Sequence, residues 1–167
     1  MINNELDEIY KSFMQDIYRY ILHLCGDKYI AEDIVQETFF RAYLHFESCP
    51  KSAIKPWLFR VAYNCFIDFK RKDARKQVED SSFFEGITSN LVLEDEVVNR
   101  ESIREIRNII KELPEKQGQA VILCDFSGMS YNDAAMVLEV SLAHFKVLLF
   151  RGRQAIRLKI ERKDNLE

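Results

Sequence analysis

Residues 31–46 read AEDIVQETFFRAYLHF, sixteen positions without Gly or Pro and with few poor helix formers, so the spacing predicts one continuous helix. Wound at about 100° per residue, Ala31, Val35, Thr38, Phe39, Ala42 and Phe46 fall on one side and form an ordinary core stripe. The opposite side is unusual. Asp33, Glu37, Phe40 and Leu44 line up along it with Gln36 beside them, a row that is acidic and apolar together. Two readings account for that row. A second layer of core could cover Phe40 and Leu44, or the row could be a rigid docking ridge for a partner helix, whose contacts need this seam spacing.

Outward from this helix, the chain reads as all-α. Leu6, Ile9, Tyr10, Phe13, Ile17, Tyr20, Ile21 and Leu24 keep helical spacing, giving a first helix over about 5–25 that Gly26 is placed to stop. Residues 47–53, ESCPKSA, read as a loop able to carry specificity. A third helix is expected from about Pro56 to Lys76, with Leu58, Val61, Ala62, Cys65 and Phe69 inside. Trp57, Arg60, Asn64 and Arg71 share another face, with Asp68 at its edge and Lys70 nearby in sequence. A core anchor and a solvated flank are the plain reading of those residues. The alternative is a surface that grips phosphates with cations and holds unstacked bases with an aromatic ring and an amide.

The remainder divides by charge. Net charge is −3, yet 60–76 holds six basic residues against two acidic ones, and 144–163 holds seven against one. Between them, 79–96 has six carboxylates and no Lys or Arg. Two basic surfaces on an acidic leash suit nucleic acid better than the net charge suggests. The connector, 77–99, has only the weak apolar patches SSFF and LVL and reads as extended or mobile in the free protein.

Beyond it, Ile103, Ile106, Ile109, Ile110 and Leu113 predict a helix broken at Pro114, and a second is expected over 115–126. Ser130 is placed to cap a short helix over 131–138, and Ser141 to cap a long basic one over 142–162. A short helix, a turn at 139–141 and a longer basic helix make a helix-turn-helix. On the last helix Leu142, Phe145, Leu148, Leu149, Gly152 and Ile156 face inward, with Gly152 allowing a close approach. Ala143, Val147, Phe150 and Gln154 face out between Lys146, Arg151 and Arg157. Scattered surface apolars are common, but in a major groove Val147 and Phe150 could meet thymine methyls while the cations meet phosphates or guanine edges.

The 47% hydrophobic and 31% charged composition is that of a soluble globular protein. No apolar run approaches the roughly 18 residues of a membrane span, so no direct membrane insertion is expected. The acidic, amphipathic start is unlike a signal peptide. Cys25, Cys49, Cys65 and Cys124 are scattered, which suits free thiols in a reducing cytoplasm and gives no zinc pattern. His23, His45 and His144 have no metal spacing and there is no Gly-rich phosphate loop, so neither an enzyme nor a metal or cofactor site is expected.

Four stretches, in order, resemble the extracytoplasmic-function (ECF) sigma factors of bacterial RNA polymerase. AEDIVQETFFRAY resembles the polymerase-docking helix. KPWLFRVAYNCFIDFKRK resembles the −10 recognition and melting segment, W-L-[FY]-x-[IV]-A-x-N-x-x-x-D-x-x-[RK]. ELPEKQGQAVILCDFSGMSYNDAAMVLEVS resembles the entry to the second domain, and FKVLLFRGRQAIR the −35 recognition helix. The resemblance implies a three-helix sigma region 2 domain at 1–76, an acidic flexible linker at 77–99, and a four-helix sigma region 4 domain at 100–167. It implies that Asp33, Gln36, Glu37, Phe40 and Leu44 meet the β′ clamp helices of core polymerase. Trp57, Arg60, Asn64, Asp68, Lys70 and Arg71, with the 47–53 loop, would engage the −10 element and a flipped base. Ser141, His144, Lys146, Val147, Phe150, Arg151 and Arg153 would face the −35 element. The linker would lie in a polymerase channel that otherwise holds nucleic acid. The β flap of polymerase, promoter DNA and a membrane-anchored anti-sigma factor are the further partners implied, with a cytoplasmic location.

The chain departs from the family pattern at the recognition helix. The usual T-V-K-S-R is here His144, Phe145, Lys146, Val147, Leu148, which puts the −35 sequence preference in question. Gly118 and Gln119 stand where larger or charged residues are common, which touches no expected role. Two rivals remain. A stand-alone helix-turn-helix regulator would share the second domain but would need neither the ridge nor the Trp57/Asn64 face. A small RNA-binding or anti-termination protein could use both basic blocks, but the acidic connector would then oppose its ligand.

Overall fold

A computed structural model of the chain describes residues 2–79 and 100–166. The expected linker therefore lies outside the described residues from position 80 onward, and with it the reading of that stretch as extended or mobile. The chain divides into two compact units, Met1–Val92 and Leu93–Glu167. Among the described residues there are helices and turns but no strand.

In the first unit, α1 (Ile2–Cys25), α2 (Lys28–Leu44) and α3 (Ile54–Glu79) each pack against the other two. Gly26 ends α1 at a φ of 75°, a left-handed position that only glycine takes without penalty. Asp27 then caps α2 by accepting from the N–H groups of Tyr29 at 2.8 Å and Ile30 at 3.1 Å. That cap starts α2 three residues before the predicted start. His45 ends it, and Phe46 begins a short 3₁₀ turn rather than a last turn of helix. Residues 47–53 are mostly two such turns, Phe46–Ser48 and Lys51–Ala53. Helix α3 starts two residues before Pro56, which sits in the first turn, where no helical acceptor awaits its missing N–H.

The core stripe of α2 is as predicted at Ala31, Val35, Thr38 and Ala42, and Ile34 joins it. Thr38 belongs there because its hydroxyl donates to the Ile34 carbonyl at 2.7 Å. On α3, Leu58, Ala62 and Cys65 are buried, while Val61 and Phe69 are only half-buried. Phe59 and Phe66 are buried as well, because a helix flanked by two others hides a wider arc than one stripe. The rings of Tyr20 and Phe59 pack 5.0 Å apart at the centre of this core.

In the second unit, α4 (Arg100–Glu112), α5 (Glu115–Val121), α6 (Tyr131–Leu138) and α7 (Leu142–Asp164) surround Leu123, Val137 and Phe145. Instead of one helix over 115–126, α5 passes into a π-helical turn, Ile122–Phe126, where the Ser127 N–H reaches back to the Ile122 carbonyl at 2.9 Å. Gly152 of α7 lies against α5 so closely that a Cβ there would stand 2.9 Å from both the Gln117 carbonyl oxygen and Val121 Cγ2. Gly118 similarly makes room for Ile110, and Gln119 is buried. The Ser130 hydroxyl caps α6 by accepting from the Asp133 N–H, and Ser141 caps α7 by accepting from that of His144, each at 3.1 Å. Between these two helices the turn runs through Glu139 in a left-handed conformation, φ 57°.

Candidate docking and nucleic-acid interfaces

The outer face of α2 is open. Asp33, Gln36 and Glu37 are exposed, and Phe40 and Leu44 are 57% and 58% exposed. Among the described residues no second core layer covers them. Tyr29 and Tyr43, exposed at 77% and 56%, stand on the same arc and extend it to more than four turns. Tyr43 lies within the helix read from the sequence, where a surface tyrosine is ordinary until its neighbours are known to be bare, whereas Tyr29 joins the arc only because the Asp27 cap starts α2 at Lys28. A ridge of this length, aromatic and acidic, can seat a helix that brings cations and apolar side chains together.

At the edge of the ridge Arg41 holds two carboxylates. Its Nε donates to Glu37 Oε1 at 3.0 Å and its Nη1 to Asp68 Oδ2 at 2.8 Å. The hydrogen bond to Asp68, and after it that to Glu37, raises the guanidinium pKa above its ordinary value. Asp68 therefore points to a cation on the neighbouring helix. Arg60, Asn64 and Arg71 are exposed along α3, with Trp57 half-buried at the start of the same face. Lys70 lies elsewhere, roughly 140° round the helix from Trp57, with its Nζ 5.3 Å from the centre of the Phe66 ring. Of the residues predicted together here, four share one face, Asp68 is turned toward α2, and Lys70 is on another side.

On α7, His144, Lys146, Val147, Phe150 and Arg151 are exposed, with Phe150 at 66%. Leu148 is buried, so of the two apolar departures from the family pattern only Val147 faces outward. The Ser141 oxygen is engaged as the cap. Arg153 is clamped by Asp125 from the π-helical turn, with Nε to Oδ2 at 3.0 Å and Nη2 to Oδ1 at 2.7 Å. That fork, with a further hydrogen bond to Tyr131, raises its pKa. A shallow basin of about 370 Å³ runs beside it, lined by Tyr131, Lys146, Phe150, Gln154 and Arg157. Lys146 and Arg157 have no ion-pair partner among the described residues. The wheel had already placed Gln154 and Arg157 beside Phe150, whereas Tyr131 arrives from α6 and only the fold could bring it.

Burial raises the pKa of the Cys49 and Cys65 thiols and pushes Cys124 up to about 11, as befits sulfur packed as apolar volume. Among the described residues no helix is long and apolar enough to cross a membrane, and no His, Cys, Asp and Glu side chains group as metal ligands.

Comparison with known proteins gives these faces their context. The description "Sigma-70 region 2" matches residues 9–76, and "Sigma-70, region 4" matches residues 103–156. The ECF RNA polymerase sigma factor SigM of Bacillus subtilis is 37% identical over 163 residues, 97% of this chain and 99% of its own. SigW of the same organism, also an ECF RNA polymerase sigma factor, is 30% identical over 93% of this chain and 87% of its own. Two solved structures share the fold. The sigma factor RpoE of Bartonella quintana, crystallised with the anti-sigma factor NepR, has a TM-score of 0.76 at 23% identity, covering 94% of this chain and 97% of its own. CnrH, in complex with the cytosolic domain of CnrY, has a TM-score of 0.71 at 16% identity, covering 96% and 90%. Two matched regions in order, and a relative aligned end to end, establish that the chain belongs to the ECF sigma factors, the transcription initiation factors of RNA polymerase.

Proposed function

We propose that this sigma factor docks on core RNA polymerase through the α2 ridge, reads and opens the −10 element with the α3 face, and reads the −35 element with α7. The ridge comprises Tyr29, Asp33, Gln36, Glu37, Phe40, Tyr43 and Leu44, and its partner is the β′ clamp-helix coiled coil. Trp57, Arg60, Asn64 and Arg71 meet the single strand. Lys146, Val147, Phe150 and Arg151 meet the duplex, with His144 at the N-terminal end of that surface and Val147 supplying apolar contact where the family pattern has a hydroxyl. Arg153 and Ser141 support the reading helix, the one through its fork with Asp125 and the other as the N-terminal cap.

The domains run 1–76 and 100–167, the acidic 77–99 connector takes a polymerase channel that otherwise holds nucleic acid, and the β flap is a further contact of core polymerase. An anti-sigma factor that covers these faces would hold the protein inactive; the complex of RpoE with the anti-sigma factor NepR supports a partner of that kind. A membrane-anchored one would keep it at the cytoplasmic side of the membrane.

The observation that carries this reading is the bare acidic and aromatic ridge on α2, beside Phe40 at 57% exposure. A regulator that bound duplex DNA unaided would have no use for it. The test is promoter binding with and without purified core polymerase. Specific, salt-sensitive binding should appear only with core, since phosphate contacts release counterions. Tight sequence-specific binding by the free protein at physiological salt would instead favour the stand-alone regulator.

A further inference from the structure

Asp68 poses a problem for any surface that handles a polyanion. It stands one helical turn beyond Asn64 and nearly one turn before Arg71, so its Cβ points to the same side of α3 as both. Its side chain is 40% exposed. A bare carboxylate at that place would face the phosphates that Arg60 and Arg71 attract.

The neighbouring helix supplies the answer. Arg41, 27 residues away in sequence, places Nη1 at 2.8 Å from Asp68 Oδ2, while its Nε is held by Glu37 at 3.0 Å. Two bonds to two different N–H groups fix both the position and the plane of the guanidinium. A lysine, with one point charge on a flexible stem, could not hold both carboxylates in this way. Of the charge in this triad, one negative unit is left over. The guanidinium stands between the carboxylates, so Asp68 is cancelled on the α3 side and Glu37 keeps its other oxygen on the ridge.

We propose that Arg41 is a positioning residue for strand opening, which cancels and turns aside the Asp68 carboxylate so that the α3 face meets a single strand with cations and neutral groups alone. This rests on the α3 face being the surface for the −10 strand. Arg41 need not touch DNA in this role, and its effect passes entirely through Asp68.

A plain structural strut would look the same in the folded protein and differ sharply under mutation. If Arg41 only ties α2 to α3, removing either end of the bond does equal harm, and removing both does no better. If Arg41 screens Asp68, then Arg41→Gln is harmful because the carboxylate remains, and Asp68→Asn relieves it.

The experiment measures how holoenzyme built from core polymerase binds a labelled single-stranded oligonucleotide carrying the non-template −10 sequence. The variants are Arg41→Gln, Asp68→Asn, the double variant and Asn64→Ala. Arg41→Gln should weaken binding about fivefold at low salt, the size of one unscreened like-charge contact at about 4 Å in water, and less at high salt. Asp68→Asn should bind like the unmodified protein, and the double variant should return to within about twofold of it. Asp68→Asn as harmful as Arg41→Gln, or a double variant no better than Arg41→Gln, overturns the inference. Should Arg41→Gln fail to fold, Asp68→Asn alone decides, since only a strut makes it harmful. Asn64→Ala separates the two levels of the argument. Its loss of binding without Asp68 suppression overturns the role of Arg41 alone, whereas no loss with Asn64→Ala overturns the −10 surface and this inference with it.

Discussion

Arg153 of α7 and Asp125 of the π-helical turn meet through two parallel hydrogen bonds, 3.0 Å and 2.7 Å long, across 28 residues of sequence. A sequence motif that contains Arg151-Gly152-Arg153 invites the assignment of both arginines to DNA. The geometry separates them. Arg151 points outward, while Arg153 fastens the reading helix to the turn that precedes the helix-turn-helix. Arg153→Ala and Asp125→Asn should each lower stability by about 1 kcal/mol, a modest figure because both side chains are partly solvated. The double variant should lose little more than either single one. Urea unfolding of all three measures the coupling, and fully additive losses would show that the fork contributes nothing jointly.

The ridge makes a prediction of its own. Phe40→Ala combined with Leu44→Ala should weaken binding to core polymerase by more than about 2 kcal/mol, as truncating buried interface anchors does. Helical circular dichroism and the melting temperature should barely move, since both side chains are more than half exposed in the free protein. Fluorescence anisotropy against core polymerase supplies the affinity, and unimpaired binding would assign the docking surface elsewhere.

The two nucleic-acid faces should fail at different steps. Holoenzyme with Asn64→Ala should lose discrimination at the −10 element and regain much of its activity on a template melted in advance that keeps the favoured bases, because edge contacts are open only to unstacked bases. Arg151→Ala should lose −35-dependent binding by about 1–3 kcal/mol and gain much less from the bubble, because a helix-turn-helix reads intact duplex. Abortive transcription on duplex and bubble templates compares them, and equal rescue would sink the division of labour.

At Gly152 the space is already full. A methyl there would stand 2.9 Å from the Gln117 carbonyl and from Val121, so Gly152→Ala should push α7 away from α5 despite alanine's better helix propensity. Overpacking of this kind costs about 1–3 kcal/mol. Thermal unfolding would register it, and a gain in stability would mean that α7 can slide without loss.

Cys124 links burial to alkaline pH. Its thiol moves from an ordinary 9.0 to about 11, chiefly by burial and then by the Asp125 carboxylate. Between those values the folded protein keeps a proton that the unfolded chain has released. The resulting stability is fully present below pH 9.0 and is lost as pH rises through about 11. Cys124→Ala should therefore flatten the decline in urea midpoint across this window. An unchanged alkaline slope would assign the decline to other groups.

Helix periods, the stop at Gly26, the caps on Ser130 and Ser141 and the inward placement of Phe145, Leu148, Leu149 and Gly152 on α7 follow from spacing and local chemistry, whereas Leu142 and Ile156, expected inside with them, stay exposed and half-buried. The sequence alone determined the all-α class and the helix-turn-helix. The two faces of α2 were legible for the same reason, since a helix shows its neighbours at three and four residues. Local order could not say whether Phe40 and Leu44 were covered, because covering is done by other segments. It could not place Phe59 and Phe66 in the core, because the arc that a helix buries depends on how many helices surround it. Nor could it tell Asp68 and Arg153 from residues free to meet DNA. Their partners, Arg41 and Asp125, lie 27 and 28 residues away, and a charge acts over ångströms of space whatever its distance along the chain. Only the tertiary structure brings those pairs together, and with them it decides which charges are already engaged within the protein.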